Sequence, residues 1–427
     1  MNTQPGSGDR GPALPYVQRV KGQSASVILL FAAYDLGLAV LIIAAGSQGI
    51  FRFAPPLLLW LMIYLMIGLK LATNLRTLVS VLRENIAILA FPAVAFISAT
   101  WSLSPSHTVY SAVQLSVTYL AGIWIGWRYR PMEIALVMVL ALSPLIVLSL
   151  INWATGMFGE AFSYHGGLLG IFANKNTLGR MSLLLGIAAL GLIFNSRRKL
   201  VRDLVFLTVF AMAVLALALS KSATSMIFLV GTSALFVLLT MHSYRVGMRL
   251  ALSVGCIMAV LFGGGLVALG NFDLANEVLG LFGKSSTLTG RTYLWEVANQ
   301  QISENPWLGV GFDAYWDSGN FLALDQIQQR YGTGLISFHN FILDIRVGMG
   351  VPGLVAIFVT VGTIALTYLR YYLVSQNVEA AMMLTLFTAA IGVAMFNPLL
   401  HGQHGNMIVI LIAFAVSARI ETRRHIV

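Results

Sequence analysis

The sequence predicts an all-α protein whose helices cross a membrane many times. Long apolar runs follow one another along the chain, and charged residues make up only 10% of it, against roughly 25% in a soluble domain. An apolar run of about 20 residues covers the ~30 Å hydrocarbon core as a helix. Only helices and closed barrels satisfy their backbone in lipid, and uninterrupted runs exclude the alternating pattern of a barrel.

Twelve apolar runs are predicted to span the membrane. They lie at 26–46, 55–73, 85–101, 108–127, 132–153, 177–195, 202–220, 224–241, 247–270, 349–369, 378–396 and 405–419. They divide the chain into a tail (1–25), nine spans (26–270), a long outer loop with short amphipathic helices (271–347), three spans (348–419) and a second tail (420–427). The first run follows a polar stretch without a small-residue cleavage site, so it is expected to be retained as a span.

The distribution of basic residues predicts the orientation. Most of the 26 lysines and arginines fall in alternate loops, starting with the N-terminal tail, so the positive-inside rule places both termini in the cytoplasm. The net charge of +10 follows from this topology, and no nucleic-acid partner is expected. The single cysteine, Cys256, allows no internal disulfide.

Three outer segments contain cations that the positive-inside rule does not explain. In the predicted topology the sixth, eighth and tenth spans point their N-termini outward, and each follows a polar stretch: "GIFANKNTLGR" (170–180), "LSKSATS" (219–225) and "SFHNFILDIR" (337–346). Asn176, Ser222 and Asn340 are suited to capping these helices. Capping does not explain the cations, which are unfavourable near a helix N-terminus. We therefore predict a bound phosphate or pyrophosphate. The residues predicted to bind it are Lys175, Asn176, Arg180, Lys221 and Ser222.

The outer loop contains a further helix, "TGRTYLWEVANQQISENPWLG" (289–309), which is predicted to begin near Thr289 and to end before Pro306. Arg291 falls in its first turn, where a guanidinium can bind a phosphate through two hydrogen bonds. The predicted apolar side consists of Tyr293, Trp295, Ala298 and Ile302. The aromatic residues of this region suit either stacking on sugar rings or packing within the loop, and they are Trp295, Trp307, Tyr315 and Trp316.

Four motifs follow one another over about 165–350: "GxFANKNxLG", "LSKSAT", "TGRTxLW…ENPWLGVGF" and "HNFILD…GxG". Together they resemble the O-antigen ligase and Wzy-type polysaccharide polymerase superfamily, and the nearest branch is the succinoglycan type of exopolysaccharide polymerase. The resemblance implies a glycan donor linked to undecaprenyl pyrophosphate, used at the periplasmic face of a bacterial inner membrane. It further implies inverting, metal-independent transfer without a cofactor, with Arg291 and His339 essential. Many relatives carry arginine where this chain has Ala223, and Lys221 is the nearby cation.

Such a transfer needs a base for the acceptor hydroxyl and positive charge for the departing pyrophosphate. His339 suits the first role, since imidazole accepts a proton near neutral pH and a helix N-terminus disfavours its charged form. Arg291, Lys175, Arg180 and Lys221 suit the second. Asn340 is expected to orient the imidazole or to cap the tenth span. Asp344 and Arg346 are expected to form a local ion pair.

The alternatives concern the acceptor, a metal and the class of protein. A carrier-linked glycan as acceptor would make the protein a polymerase, the favoured reading, whereas lipid A core would make it a ligase. No metal is expected to be required, because the outer acids include no D-x-D pair. Two outer pairs have i,i+4 spacing, Asp273 with Glu277 and Asp313 with Asp317, but neither has a histidine beside it. The "HGQHG" stretch (401–405) is compatible with metal or acceptor binding but is expected to be a polar loop.

A transporter or flippase is the rival class of protein, because Asp35 lies within the first span and acids inside a membrane often mark ion pathways. A buried structural role is expected for Asp35.

Overall fold

The computed structural model describes residues 25–163, 166–195, 200–241, 289–317, 337–395 and 400–426, together with positions 247, 248, 251 and 255. Thirteen α-helices make up most of this part of the chain, which contains no β-strand. Its first helices are α1 (Ala25–Gly46), α2 (Pro56–Thr73), α3 (Leu75–Glu84), α4 (Ala90–Ile97), α5 (Pro105–Arg128), α6 (Pro131–Thr155) and α7 (Lys175–Phe194). The others are α8 (Leu200–Ser220), α9 (Ala223–Thr240), α10 (Thr289–Glu304), α11 (Phe341–Ser375), α12 (Val378–Ala394) and α13 (Asn406–Ile426).

The helices confirm a polytopic membrane protein. Seven of those described (α2, α5 to α9 and α11) are long and apolar enough to cross a membrane. Eleven of the twelve predicted runs coincide with helical segments, and the run at 247–270 lies almost entirely outside the described residues. The number of twelve spans and the division into domains stay predictions.

The third predicted run is not one straight helix. The segment Ile86–Thr100 contains α4 flanked by two short 3-10 turns, and it is bent by 86° from the preceding α3. Asn85 at the bend is buried, and its side-chain amide donates to the Val81 carbonyl at 2.8 Å. The bend therefore separates an amphipathic helix, α3, from an apolar one.

The centre of the bundle is α13, along which residues 407–416 are each at most 2% exposed. Gly122 and Gly126 of α5 allow the two backbones to approach, because a Cβ at Gly126 would lie 2.2 Å from the Ala413 carbonyl oxygen. Small residues at such crossings are typical of membrane helix packing. In contrast, α2 exposes most of its leucines, as expected of a helix that faces lipid.

Ion pairs cluster at one end of the bundle. Asp35, which is buried as expected, is paired with Lys70 Nζ at 2.5 Å and with Arg128 Nε at 2.7 Å. Glu84 of α3 pairs with Arg423 of α13 at 2.7 Å. All of these cations belong to the loops that the positive-inside rule assigns to the cytoplasm. Asp35 thus balances charges that the topology requires, which is a structural role.

A kink in α11 joins this helix to the segment that follows α10. Gly350 has φ 59° and ψ −144°, a conformation essentially restricted to glycine. Pro352 has no N–H, so the Gly348 carbonyl lacks its helical donor and accepts from Gly311 N–H at 2.7 Å. Likewise Val310 N–H donates to Val347 O, and Val351 N–H donates to Trp307 O, each at 2.9 Å. Segment 307–311 therefore provides partners for the carbonyls of Val347 and Gly348 and for the N–H of Val351 at the kink.

Candidate functional site

His339 lies in a tight turn directly before α11. Its φ is 55°, in the left-handed region that non-glycine residues rarely occupy. Its backbone N–H donates to Ser337 Oγ at 2.9 Å. Asn340 accepts from the backbone N–H groups of Ile342 and Leu343 at 3.0 and 3.3 Å, which confirms that it caps the helix. The turn therefore holds a half-buried histidine at a helix N-terminus.

Asp344 stabilises this turn, and the expected ion pair with Arg346 is wrong. The Asp344 carboxylate accepts from Ser337 Oγ and from Phe338 N–H, both at 2.8 Å. Its nearest cationisable neighbour is His401, whose Nε2 lies 3.9 Å from Asp344 Oδ2. The side chain reaches back over the helix start because its position, one turn into α11, faces the preceding loop. Arg346 lies two residues further along α11, about 200° around the helix from Asp344, and is not among the ion-pair partners of Asp344 in the described residues.

Helix α10 packs against the His339 turn. It runs from Thr289 to Glu304, as predicted from the sequence. Its buried residues are Leu294, Val297, Ala298 and Gln301, with Tyr293, Trp295 and Ile302 partly buried beside them, so the apolar side is wider than predicted. Trp295 Nε1 donates to the Phe338 carbonyl at 3.0 Å, next to His339. Position 291 lies one turn before Trp295 on this helix, and its side chain is outside the described residues.

The aromatic residues of this region divide between packing and exposure. Tyr315 is 2% exposed and contacts the Phe338 ring, as does Trp316, with ring centroids 5.2 and 4.8 Å apart. Burial raises the pKa of Tyr315 to about 12, so its hydroxyl stays neutral. Trp307 is 73% exposed. Tyr315 thus belongs to the core of the loop, and Trp307 presents its ring to the surroundings.

The predicted cation site at α7 is partly rearranged. The capping residue is Asn174, whose Oδ1 accepts from Thr177 N–H at 2.8 Å, so the expectation that Asn176 caps the helix is wrong. Asn176 is instead the second residue of the helix. Arg180 Nη2 donates to Thr177 Oγ1 at 3.0 Å, which fixes the guanidinium along the first turn. Lys175 is half-buried at the helix start.

Lys221 lies beside Lys175 across a glycine-containing loop. A Cβ at Gly167 would meet the Lys175 side chain at 2.6 Å, and one at Gly166 would lie 3.7 Å from Lys221 Nζ. Lys221 has φ 51° and an exposed side chain. Ser222 occupies the N-cap position of α9 without bonding its backbone, and its Oγ donates to Ser225 Oγ at 3.2 Å. Two lysines predicted from separate motifs therefore flank one loop.

Residues 400–405 and Asn406, the first residue of α13, are together called the loop 400–406, and they lie between the cation site and the His339 turn. Asn406 Nδ2 lies 3.1 Å from the sulfur of Met181, the residue after Arg180, and His401 faces Asp344 from the same loop. His404 stacks on Trp60 with ring centroids 3.9 Å apart. Burial lowers the pKa of both histidines to about 4. The stretch is a loop, as expected, and its two histidines pack against neighbouring helices: His404 against Trp60 of α2, and His401 near Asp344 of α11.

One polar cluster, formed by His107, Asp313 and Asp317, was not predicted from the sequence. His107 at the start of α5 contacts two carboxylates through opposite ring nitrogens: Nε2 is 3.1 Å from Asp313, and Nδ1 is 3.4 Å from Asp317. Gln403 and Ser111 also donate to Asp313 Oδ2, at 2.7 and 2.8 Å. In the fold the pair Asp313 and Asp317 therefore has a histidine beside it, although none lies near the pair in the sequence. About 200 residues separate His107 from the pair, so no local signal reveals the contact.

In this geometry the cluster has a structural role, because it joins separate segments of the chain. Two ring nitrogens on opposite sides of one imidazole cannot bind the same ion. Within the described ranges no group of three or more His, Cys, Asp or Glu side chains is arranged to hold a metal. The contacts attach segment 312–317 to α5 and to the loop 400–406.

Comparisons with known proteins agree with the motifs. A profile of the family described as O-antigen ligase matches residues 207–358, from α8 through the kink of α11. The resemblance to the O-antigen ligase and Wzy-type superfamily is confirmed. The match includes Lys221, Arg291 and His339, whereas Lys175 and Arg180 precede it.

The chain is also similar to a curated protein whose name refers to exopolysaccharide production. The chain is 28% identical over 281 residues to the exopolysaccharide production protein ExoQ of Rhizobium meliloti (strain 1021). The alignment covers 63% of this chain and 61% of that protein, so the chain spans about three-fifths of the length of the relative. The family model and this relative agree with the motifs found in the sequence.

Proposed function

We propose that this protein polymerises repeat units of an exopolysaccharide or surface polysaccharide by transferring glycan from undecaprenyl pyrophosphate. The observation that carries the proposal is the contact between α10 and the His339 turn. The helix whose first turn holds Arg291 is bound, through Trp295, to the carbonyl beside His339. The two residues that the superfamily resemblance marks as essential thus belong to elements in direct contact.

In the proposed reaction His339 removes the proton from an acceptor hydroxyl. The hydroxyl oxygen attacks the anomeric carbon of the donor, the bond from that carbon to the phosphate oxygen breaks, and the configuration inverts. Arg291, Lys175, Arg180 and Lys221 neutralise the charge that develops on the pyrophosphate. Asn176 and Ser222 add polar groups to the donor site, and Asn340 fixes the turn by capping α11. The chain's own residues supply base and positive charge, and neither metal nor cofactor enters the scheme.

The proposed location is the periplasmic face of a bacterial inner membrane, with twelve spans and both termini in the cytoplasm. Its support is the separation of two polar regions. The ion pairs around Asp35 and Glu84 involve the basic loops of one end. At the other end, the loop 400–406 approaches Asp344, which holds the His339 turn, and contacts Met181, the residue after Arg180. In this scheme 271–347 is the outer catalytic loop.

The acceptor distinguishes polymerase from ligase. The name of the relative, an exopolysaccharide production protein, favours a second carrier-linked glycan as acceptor. The description of the matched family favours O-antigen ligation to lipid A core as the second candidate. A flippase is the remaining alternative, and it was suggested by Asp35 as an acid within a span. The ion pairs of Asp35 with Lys70 and Arg128 favour a structural role for this residue instead.

The deciding experiment follows glycan length and attachment. Purified protein in detergent receives carrier-linked oligosaccharide extracted from the producing bacterium, with and without lipid A core. We expect products lengthened on the carrier, and we expect His339→Ala and Arg291→Ala to abolish them. Arg76→Ala, which removes an exposed arginine on α3, is the matched control and is expected to retain activity. Full activity of both site variants refutes the proposal, and glycan on lipid A core alone makes the protein a ligase.

A further inference from the structure

The conformation of His339 requires support from outside the residue. A left-handed backbone is unfavourable for a histidine, and such residues persist where the surroundings fix them. The supporting contacts lie within one short network. His339 N–H donates to Ser337 Oγ at 2.9 Å, and Ser337 Oγ donates to Asp344 Oδ2 at 2.8 Å. One hydroxyl therefore connects the His339 backbone to the Asp344 carboxylate.

The second oxygen of the same carboxylate fixes the middle of the turn. Asp344 Oδ1 accepts from Phe338 N–H at 2.8 Å. Two consecutive backbone N–H groups, those of Phe338 and His339, are thereby tied to Asp344, the first directly and the second through Ser337. The Asp344 side chain is only 6% exposed, so water does not compete for these hydrogen bonds.

Other groups face the carboxylate without replacing these donors. His401, from the loop 400–406, places Nε2 at 3.9 Å, beyond hydrogen-bond distance. Asp313, from the segment after α10, acts on Asp344 electrostatically. On α11 itself the Asp344 backbone N–H donates to Asn340 O at 3.0 Å, as in a regular helix start. The carboxylate therefore accepts mainly from Ser337 and Phe338, with a further backbone interaction from Asn340 at the helix start.

We infer that Asp344, acting through Ser337, is the positioning residue that holds His339 in its reactive conformation. The inference rests on the proposed function, because it gives His339 the role of base. Neither Asp344 nor Ser337 touches the reacting atoms in this scheme. They fix the backbone from which the imidazole projects, and a base displaced by about 1 Å loses up to ~100-fold in rate.

The test compares variants that remove the network in steps. Ser337→Ala removes the hydroxyl bridge, and Asp344→Asn keeps an acceptor for Phe338 N–H while removing the charge. Ser337→Thr restores the hydroxyl. Asp203→Asn, a carboxylate-to-amide change at the start of α8 where Asp203 pairs with Arg202, is the matched control. The readouts are kcat and KM for carrier-linked oligosaccharide, per amount of folded monodisperse protein.

We expect Ser337→Ala and Asp344→Asn to lower kcat by about 10- to 100-fold with little change in the donor KM. Ser337→Thr is expected to recover most of kcat, and Asp203→Asn to match the wild type. Wild-type kcat in Ser337→Ala and Asp344→Asn, beside an inactive His339→Ala, would overturn this inference alone. Full activity of His339→Ala would instead overturn the proposed function. If Asp344→Asn does not fold, Ser337→Ala and Ser337→Thr decide the question.

Discussion

Gly350→Ala is the most direct test of the joint between α11 and segment 307–311. Gly350 has φ 59° and ψ −144°, a conformation that costs a non-glycine residue about 1–3 kcal/mol. A Cβ there would lie 2.1 Å from the Trp307 carbonyl oxygen, so the backbones must separate. That separation weakens the backbone hydrogen bonds of the kink, each contributing about 1 kcal/mol. We expect a total destabilisation of about 3–5 kcal/mol.

The matched control is Gly362→Ala, three turns further along the same helix. A Cβ at Gly362 meets no atom within 4 Å, and its backbone is helical. Alanine is the better helix former by up to ~1 kcal/mol, so this variant is expected to unfold at the same or a slightly higher temperature. The two substitutions are chemically identical, and only the local geometry differs.

The assay is thermal unfolding of the purified variants in detergent, followed by tryptophan fluorescence, with polymer formation measured in parallel. Gly350→Ala is expected to lower Tm by at least about 3 °C and to reduce activity, because α11 carries Asp344 and the His339 turn on one side of the kink. A Tm for Gly350→Ala that equals that of Gly362→Ala would show that the kink does not depend on glycine, and the reasoning above would be wrong.

Two further predictions concern buried titratable groups. Burial lowers the pKa of His401 to about 4 from its ordinary 6.5, so its stabilising effect is complete above about pH 6.5 and declines as the pH falls toward 4. Wild type should therefore lose about 2 kcal/mol more stability than His401→Gln between pH 8 and pH 5, and parallel Tm curves for the two proteins would contradict this. Asp35→Asn leaves the partly buried Lys70 and Arg128 without their carboxylate and should lower stability by about 3 kcal/mol, while the activity of the folded fraction persists. Unchanged Tm with abolished activity would instead support the transporter alternative.

The positions of the helices and the caps could largely be predicted from the sequence. Apolar length and flanking polar residues are local properties, and they located α10 and the cap at Asn340. The cap at α7 was assigned two residues too late, since Asn174 and Asn176 are equally suitable by type. Which of the two side chains accepts from the helix N–H groups depends on the direction from which the preceding loop enters the helix. The residue types alone do not determine that direction.

The partners of the polar residues could not be predicted. Asp344 and Arg346 are close in sequence and opposite in charge, yet Asp344 bonds Ser337 and Phe338. His107 meets Asp313 across about 200 residues, and His401 reaches Asp344 from the loop before α13. These contacts arise from the order in which helices pack, which places distant loops at one end of the bundle.

By itself the sequence determined that the chain spans a membrane, which polar stretches lie at the starts of its helices, and which superfamily it resembles. Each of these follows from hydrophobicity, capping chemistry or motif spacing within short windows. Only the tertiary structure decided that the Lys175 and Lys221 segments flank one loop, that segment 307–311 completes the kink at Gly350, and that Asp344 fixes the turn of His339. The physical reason is that hydrogen bonds and close backbone approaches act over about 3 Å, between groups whose separation along the chain carries no such information.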